Sequence, residues 1–72
     1  MKIVGYDGVY GTYDFEGLST EELPHKADLP KVIDGREIKY MATGTNFFAT
    51  DTFDYWEYNV ETDKWSDGST QK

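Results

Sequence analysis

Seventy-two residues, none of them cysteine, make room for one domain and offer it neither a disulfide framework nor a thiolate zinc site; fourteen acidic against seven basic side chains leave a net charge of −7. A chain of this length buries only about 60% of the surface its unfolded form exposes, so the core is marginal and must be reinforced by dense packing or by partners. The charge opposes binding to nucleic-acid backbones and anionic membranes. No apolar run of about 18 residues occurs, and the opening MKIVGYDGVYG lacks a signal-peptide core, so a soluble protein made in the cytoplasm, with neither nucleic acid nor membrane as partner, is expected.

Residues 2–15 are rich in β-branched and aromatic side chains, and Asp7-Gly8 between Tyr6 and Val9 is a dipeptide favoured in two-residue hairpin turns. The reading is an N-terminal hairpin over 2–15, weakened by Gly5 and Gly11. It is expected to pack on the rest of the domain, because Ile3, Val4, Val9 and Phe15 would otherwise form an exposed apolar patch.

Residues 16–35 change character. Ser19 followed by Glu22 has capping-box spacing, but Pro24 limits any helix to a single turn at about 19–31. Pro24 and Pro30 push Leu23 and Leu29 toward extended geometry, so a loop or edge segment is predicted, anchored by burial of Leu23, Leu29, Val32 and Ile33. Asp34-Gly35 turns the chain. Lys26, Lys31, Arg36 and Lys39 against Asp28, Asp34 and Glu37 make residues 24–45 near neutral or slightly basic, while both flanks are acidic. That segment reads as ordinary solvated surface or as a contact surface for an acidic neighbour.

From Arg36 to Ser66 a three- to four-stranded antiparallel meander is predicted. Ile38, Tyr40 and Ala42 alternate with Glu37, Lys39 and Met41; Thr43-Gly44-Thr45-Asn46 supplies a turn; Phe47-Phe48-Ala49-Thr50 leads to a turn near 51–54. The strand from Tyr55 to Val60 places Trp56, Tyr58 and Val60 on one face and Tyr55 and Glu57 on the other. After a turn at 61–63, Trp65 is within reach of Trp56 or Tyr58 as a cross-strand aromatic pair. Residues 67–72 read as a frayed tail. The fold class is therefore all-β: a small antiparallel meander and hairpin domain with a Pro-containing loop. Ile38, Tyr40, Phe48, Trp56, Tyr58 and Val60 are its candidate core.

Catalytic chemistry finds no support in the pattern. His25, the only histidine, sits between two prolines with no nucleophile or carboxylate at triad spacing. The pairs Asp51/Asp54 and Asp63/Asp67 are unavoidable among so many carboxylates. Residues 63–68 lack the EF-hand spacing, and Gly5, Gly8 and Gly11 precede no helix that would make a phosphate loop. No enzyme, metal or cofactor is expected. The unusual feature is aromatic content of 17%. Such side chains either fill a small core or, where exposed, form an interface or a sugar-stacking platform; Tyr6, Tyr10, Tyr13, Tyr55 and Trp65 are the candidate interface.

The stretch Asp51-Thr52, a short turn, Tyr55-Trp56-Glu57-Tyr58-Asn59, the polar turn Glu61-Thr62-Asp63-Lys64 and Trp65 resembles a pattern in small bacteriophage virion and head-fibre-associated proteins. There a leucine-proline segment and a glycine turn precede an Asp-Thr-Gly, aromatic-rich hairpin and a closing tryptophan. Leu23-Pro24 and Asp34-Gly35 match the preceding parts, and Phe53 stands where the pattern has glycine; the likeness covers about residues 23–65. It implies a virion structural protein (capsid decoration, head fibre or connector attachment) that contacts capsid or fibre subunits and itself as a homo-oligomer. Two alternatives come from other classes. One is an acidic nucleic-acid mimic that inhibits a host enzyme through Asp7, Asp14, Glu16, Asp51, Asp54, Glu57, Glu61 and Asp63. The other is a small carbohydrate-binding module.

Overall fold

In the computed structural model, which describes residues 1–67, the chain is all-β apart from one 3-10 turn at Lys26–Asp28. Seven strands form: β1 (Lys2–Asp7), β2 (Thr12–Gly17), β3 (Lys31–Ile33), β4 (Arg36–Ile38), β5 (Asn46–Ala49), β6 (Tyr55–Asn59) and β7 (Lys64–Ser66). Five of them make one sheet in the order β1-β2-β5-β6-β7, and β3 pairs with β4 in a separate two-stranded ribbon. The pairs β1–β2, β5–β6 and β6–β7 are antiparallel, but β2 and β5 run parallel. That parallel seam joins the N-terminal hairpin to the C-terminal meander. A parallel pair needs a long crossover, and residues 18–45 supply it. Of the expected tail, residues 68–72 lie outside the described residues.

The first hairpin forms, but not around the two-residue turn that Asp7-Gly8 predicts. Residues 8–11 all belong to the connection. The Asp7 carboxylate accepts the N–H groups of Val9 (2.9 Å) and Tyr10 (3.3 Å), and the Gly11 N–H donates to the Asp7 carbonyl (2.8 Å). Aspartate thus folds the turn that follows it, and the left-handed residue is Gly11, at φ 70°. On β1 the register slips between Ile3 and Gly5, leaving Val4 as a bulge. A Cβ on Gly5 would come within 2.5 Å of Asp14 Oδ2, so glycine is what lets the Asp14 side chain lie across β1.

The crossover departs most from the sequence reading. Ser19 and Glu22 form no capping box: Glu21 accepts the Leu18 N–H (2.6 Å), while Ser19 gives its N–H and hydroxyl to Asp51 (2.9 and 2.7 Å). Residues 31–33, expected as loop, form β3. The two positive-φ residues Asp34 (51°) and Gly35 (77°) then make the tight turn into β4. The ribbon buries Ile33 and Ile38 and leaves Val32 66% exposed, so Val32 anchors nothing. It also reaches back to the sheet, where Asp34 Oδ2 accepts the Ile3 N–H at 3.0 Å, on the outer edge of β1.

β4 ends at Ile38, so the predicted alternation through Ala42 breaks. Tyr40 is 57% exposed rather than core, and Met41 is buried instead. The meander begins at β5, not at Arg36. Within β5 the buried phenylalanine is Phe47; Phe48 faces away and is only half-buried.

The core lies on one face of the five-stranded sheet, called here the inner face. Tyr13, Phe15, Phe47, Ala49, Trp56, Tyr58 and Trp65 project from the strands and are covered by Leu23, Ile33, Ile38 and Met41 from the crossover; Val60 packs on the margin. Tyr58 and Trp65 pair across strands with ring centroids 5.1 Å apart, and the Trp65 indole N–H donates to the Pro24 carbonyl (2.9 Å). Thr45 is the one buried polar residue among the described ones. Its hydroxyl oxygen accepts the Tyr13 N–H (3.2 Å) and its carbonyl the Tyr58 N–H (2.8 Å), tying β2 to β6 through the interior.

Candidate interaction face

Strand alternation sends every second residue of the same sheet outward, and the register fixes which of them line up. Gly5, Asp14, Asn46, Glu57 and Ser66 form one row across all five strands, and Lys2, Glu16, Phe48 and Tyr55 form the next. Asn46 Nδ2 donates to Asp14 Oδ1 at 2.6 Å, which holds that carboxylate over the seam between β2 and β5. Tyr55 is 47% exposed, and its hydroxyl is pushed up in pKa by partial burial first and then by the negative charges of Glu57 and Asp14. These three side chains therefore act on one another electrostatically.

Phe53 completes this face from the β5–β6 turn. Its ring lies 5.9 Å from that of Phe48 and is 76% exposed, on a backbone with φ 61°. A bulky residue in the left-handed region costs about 1–3 kcal/mol and concentrates at functional sites. The turn is closed by Phe53 N–H to Ala49 carbonyl (2.7 Å) and Ala49 N–H to Asp54 carbonyl (2.8 Å), so the strain is held by the sheet itself. The outer face thus carries an aromatic centre, Phe48, Phe53 and Tyr55, with Asp14, Glu16 and Glu57 beside it. Sequence reasoning identified Tyr55 and the carboxylates but not Phe48 or Phe53. The missing glycine at position 53 was the available signal.

The five aromatics expected to share an interface do not form one surface. Tyr55 is on the outer face. Tyr6 (47% exposed) lies on the inner side, with its ring 4.7 Å from that of Tyr13; Tyr10 (72%) stands at the tip of the β1–β2 turn; Tyr13 and Trp65 are buried. Trp65, wholly enclosed and hydrogen-bonded, is core and offers no accessible surface.

The eight acids considered for mimicry divide in the same way. Asp14, Glu16 and Glu57 share the outer face, whereas Asp7 folds its turn, Asp51 binds Ser19, Asp54 accepts the Thr52 hydroxyl (2.8 Å) and Glu61 stands exposed in the β6–β7 turn, its N–H donating to Asn59 Oδ1 (2.9 Å). Asp63 is on the other side of the molecule, in a clamp between the crossover and the β6–β7 turn. Its carboxylate accepts the Tyr58 hydroxyl (2.6 Å) and the Lys26 N–H (3.0 Å), and the His25 ring donates through Nδ1 to its carbonyl (2.7 Å). The Tyr58 hydrogen bond, then that of Lys26, then His25 hold Asp63 below the usual aspartate range, while burial first and Asp63 second push the Tyr58 phenol far up. His25 is thereby a structural fastener, its own N–H bound by Asp28 at 2.8 Å.

Among the described residues no three of His, Asp and Glu converge on a point that would hold a metal ion, and no helix is long and apolar enough to cross a membrane. No protein-family model, no curated protein and no solved structure matches the chain.

Proposed function

We propose that the protein is a non-enzymatic binding module that holds a protein partner on the outer face of its five-stranded sheet, in the setting of a phage virion as a capsid-decoration, head-fibre or connector-attachment subunit. The observation that carries the binding part is the aromatic centre of Phe48, Phe53 and Tyr55 beside Asp14, Glu16 and Glu57, with Phe53 held exposed at a backbone cost. Interfaces place aromatic anchors centrally and polar groups at the rim. The complementary surface is an apolar recess bordered by Lys and Arg. The virion part rests on the resemblance across residues 23–65.

The acidic-inhibitor reading keeps one observation in its favour, the shared face of Asp14, Glu16 and Glu57. Against it, Asp7, Asp51, Asp54 and Asp63 are committed to turns and clamps elsewhere.

The experiment is affinity capture from native lysate with three baits in parallel: the natural chain, Phe53→Ala and the double variant Phe53→Ala/Tyr55→Ala, each first checked for an unchanged fold by circular dichroism. Capsid or fibre proteins retained by the natural chain through a high-salt wash, and reduced at least about tenfold on the double variant, support the proposal. Equal retention on all three baits overturns the outer face as the site. A basic enzyme that is released by salt replaces the virion setting with the inhibitor one.

A further inference from the structure

The ribbon of β3 and β4 carries a second surface, on the opposite side of the sheet from the aromatic and acidic face. Arg36 is the only arginine in a chain with fourteen acidic residues, yet among the described residues no carboxylate pairs with it. Its guanidinium carbon lies instead over the Tyr6 ring, 4.0 Å from the centroid, and 5.6 Å from that of Tyr13. Around it is an open groove of about 300 Å³ lined by Tyr6, Gly11, Tyr13, Glu37, Lys39 and Tyr40. The groove is fixed by backbone: Gly11 turns the chain at φ 70°, and the Ala42 N–H donates to the Gly11 carbonyl (2.9 Å), holding the segment after β4 against the β1–β2 turn.

Stacking on a ring fixes the plane of a guanidinium and leaves its edge N–H donors pointing into solvent. A fork so oriented is the geometry that receives the two oxygens of a carboxylate. Lys39 adds a second cation. It is 79% exposed and its contact with Glu37 is long, 3.6 Å, so it is free to turn toward an incoming anion at small cost. Tyr6 and Tyr40, 47% and 57% exposed, offer ring faces to an apolar group attached to that anion. We infer that this groove is a carboxylate-binding site for a peptide of a partner protein, taking an acidic side chain or a chain terminus with an apolar residue beside it. Charge complementarity selects this occupant. Arg36 and Lys39 face the groove against one carboxylate, Glu37, in a chain whose net charge is −7. Because the groove and the outer face lie on opposite sides of one sheet, both can be occupied at once, and the module would bridge a basic partner to an acidic one.

The test is a titration of the full chain followed by two-dimensional NMR of backbone amides and the Arg36 Nε–H. The probes are acetyl-phenylalanine as the free acid, its amide, and the acetylated and amidated dipeptides Phe-Glu and Phe-Gln. Saturable shifts at Arg36 Nε–H, Gly11 and Tyr40 are expected with the free acid if a chain terminus is recognised, or with Phe-Glu if a side chain is; the amide and Phe-Gln leave these signals unmoved. Arg36→Gln should weaken binding at least tenfold, with its own spectrum reporting an intact fold. Arg36→Lys, which keeps charge but loses the fork, should retain only part, and Lys39→Gln should weaken binding less than Arg36→Gln. Equal shifts from the uncharged probes, or full binding by Arg36→Gln, overturn the site. Binding of phenyl phosphate with none of the carboxylate probes overturns the carboxylate assignment.

Discussion

The two faces of the five-stranded sheet are made of similar side chains put to different uses. On the inner face, Tyr13, Phe15, Phe47, Trp56, Tyr58 and Trp65 are buried, and every buried polar side-chain atom among the described residues has a hydrogen-bond partner. On the outer face, Phe48 and Tyr55, alternating along the same strands, are joined by Phe53 and left accessible among carboxylates. High aromatic content in a small cysteine-free chain therefore has two causes. One face must supply the packing that staples would otherwise provide, whereas the other has no such structural need.

The largest expected effect tests the inner face. Trp65→Ala removes a fully enclosed indole together with its bond to the Pro24 carbonyl, and should cost about 3–5 kcal/mol, enough to leave the domain largely unfolded at 25 °C by circular dichroism. Retention of a cooperative, near-native melt would remove Trp65 from the core. Next, Thr45→Val keeps shape but strands the Tyr13 N–H in the interior. A loss of about 1–3 kcal/mol is expected, measured as a shift of the denaturant midpoint at constant slope. The outer face should answer in the opposite sense: Phe53→Gly relieves the left-handed backbone and should raise stability by about 1 kcal/mol, offset in part by the greater freedom of glycine in the unfolded chain. If the domain instead melts earlier, the Phe53 ring is a packing element and the contrast between faces fails.

Acid and alkali sharpen the comparison by acting on the clamps rather than the face. Asp63 is held down first by the Tyr58 hydroxyl, Asp51 by the Ser19 hydroxyl and Glu21 by the N-terminal ammonium. A depressed carboxylate contributes stability above its unfolded pKa and loses it as pH falls through the folded value, so the thermal midpoint should decline below about pH 4.5. Asp63→Asn should flatten that decline. Tyr58, raised chiefly by burial, contributes in the reverse direction: its share is intact below the ordinary phenol value of 10.0 and is lost as pH climbs above it. Smallest of all, Glu57→Gln should change stability by less than about 0.5 kcal/mol, while lowering the pKa of the Tyr55 phenol, a shift readable by ultraviolet titration.

Strands β6 and β7 were legible because alternation is clean there: Trp56 and Tyr58 face in, Tyr55 and Glu57 face out, and polar turns bound both ends. The Asp34-Gly35 turn was equally plain. Failures cluster where the backbone departs from strand geometry without a marker in the local pattern. Phe47-Phe48 gives two adjacent rings, and composition cannot say which is inside. Tyr40 and Met41 exchange places because β4 stops at Ile38. β3 is three residues long and follows a proline, below what periodicity can detect. The parallel pairing of β2 with β5 brings Asp14 beside Asn46, 32 residues away in sequence. No local signal encodes that neighbourhood, so the outer face could not be assembled from spacing alone. Arg36 over Tyr6 was hidden for the same reason.

The contact between Asp34 and the Ile3 N–H bears on how such a sheet survives at high concentration. β1 is a terminal strand, and the open backbone groups of a terminal strand are a template on which another chain can add and grow into fibrils. The Val4 bulge bends that strand, and the Asp34 carboxylate occupies one of its outward donors while placing a negative charge where an incoming strand would have to dock. A six-residue terminal strand rich in Ile, Val and Tyr is thereby made a poor seed for amyloid, and this protection depends on a turn that belongs to the other sheet.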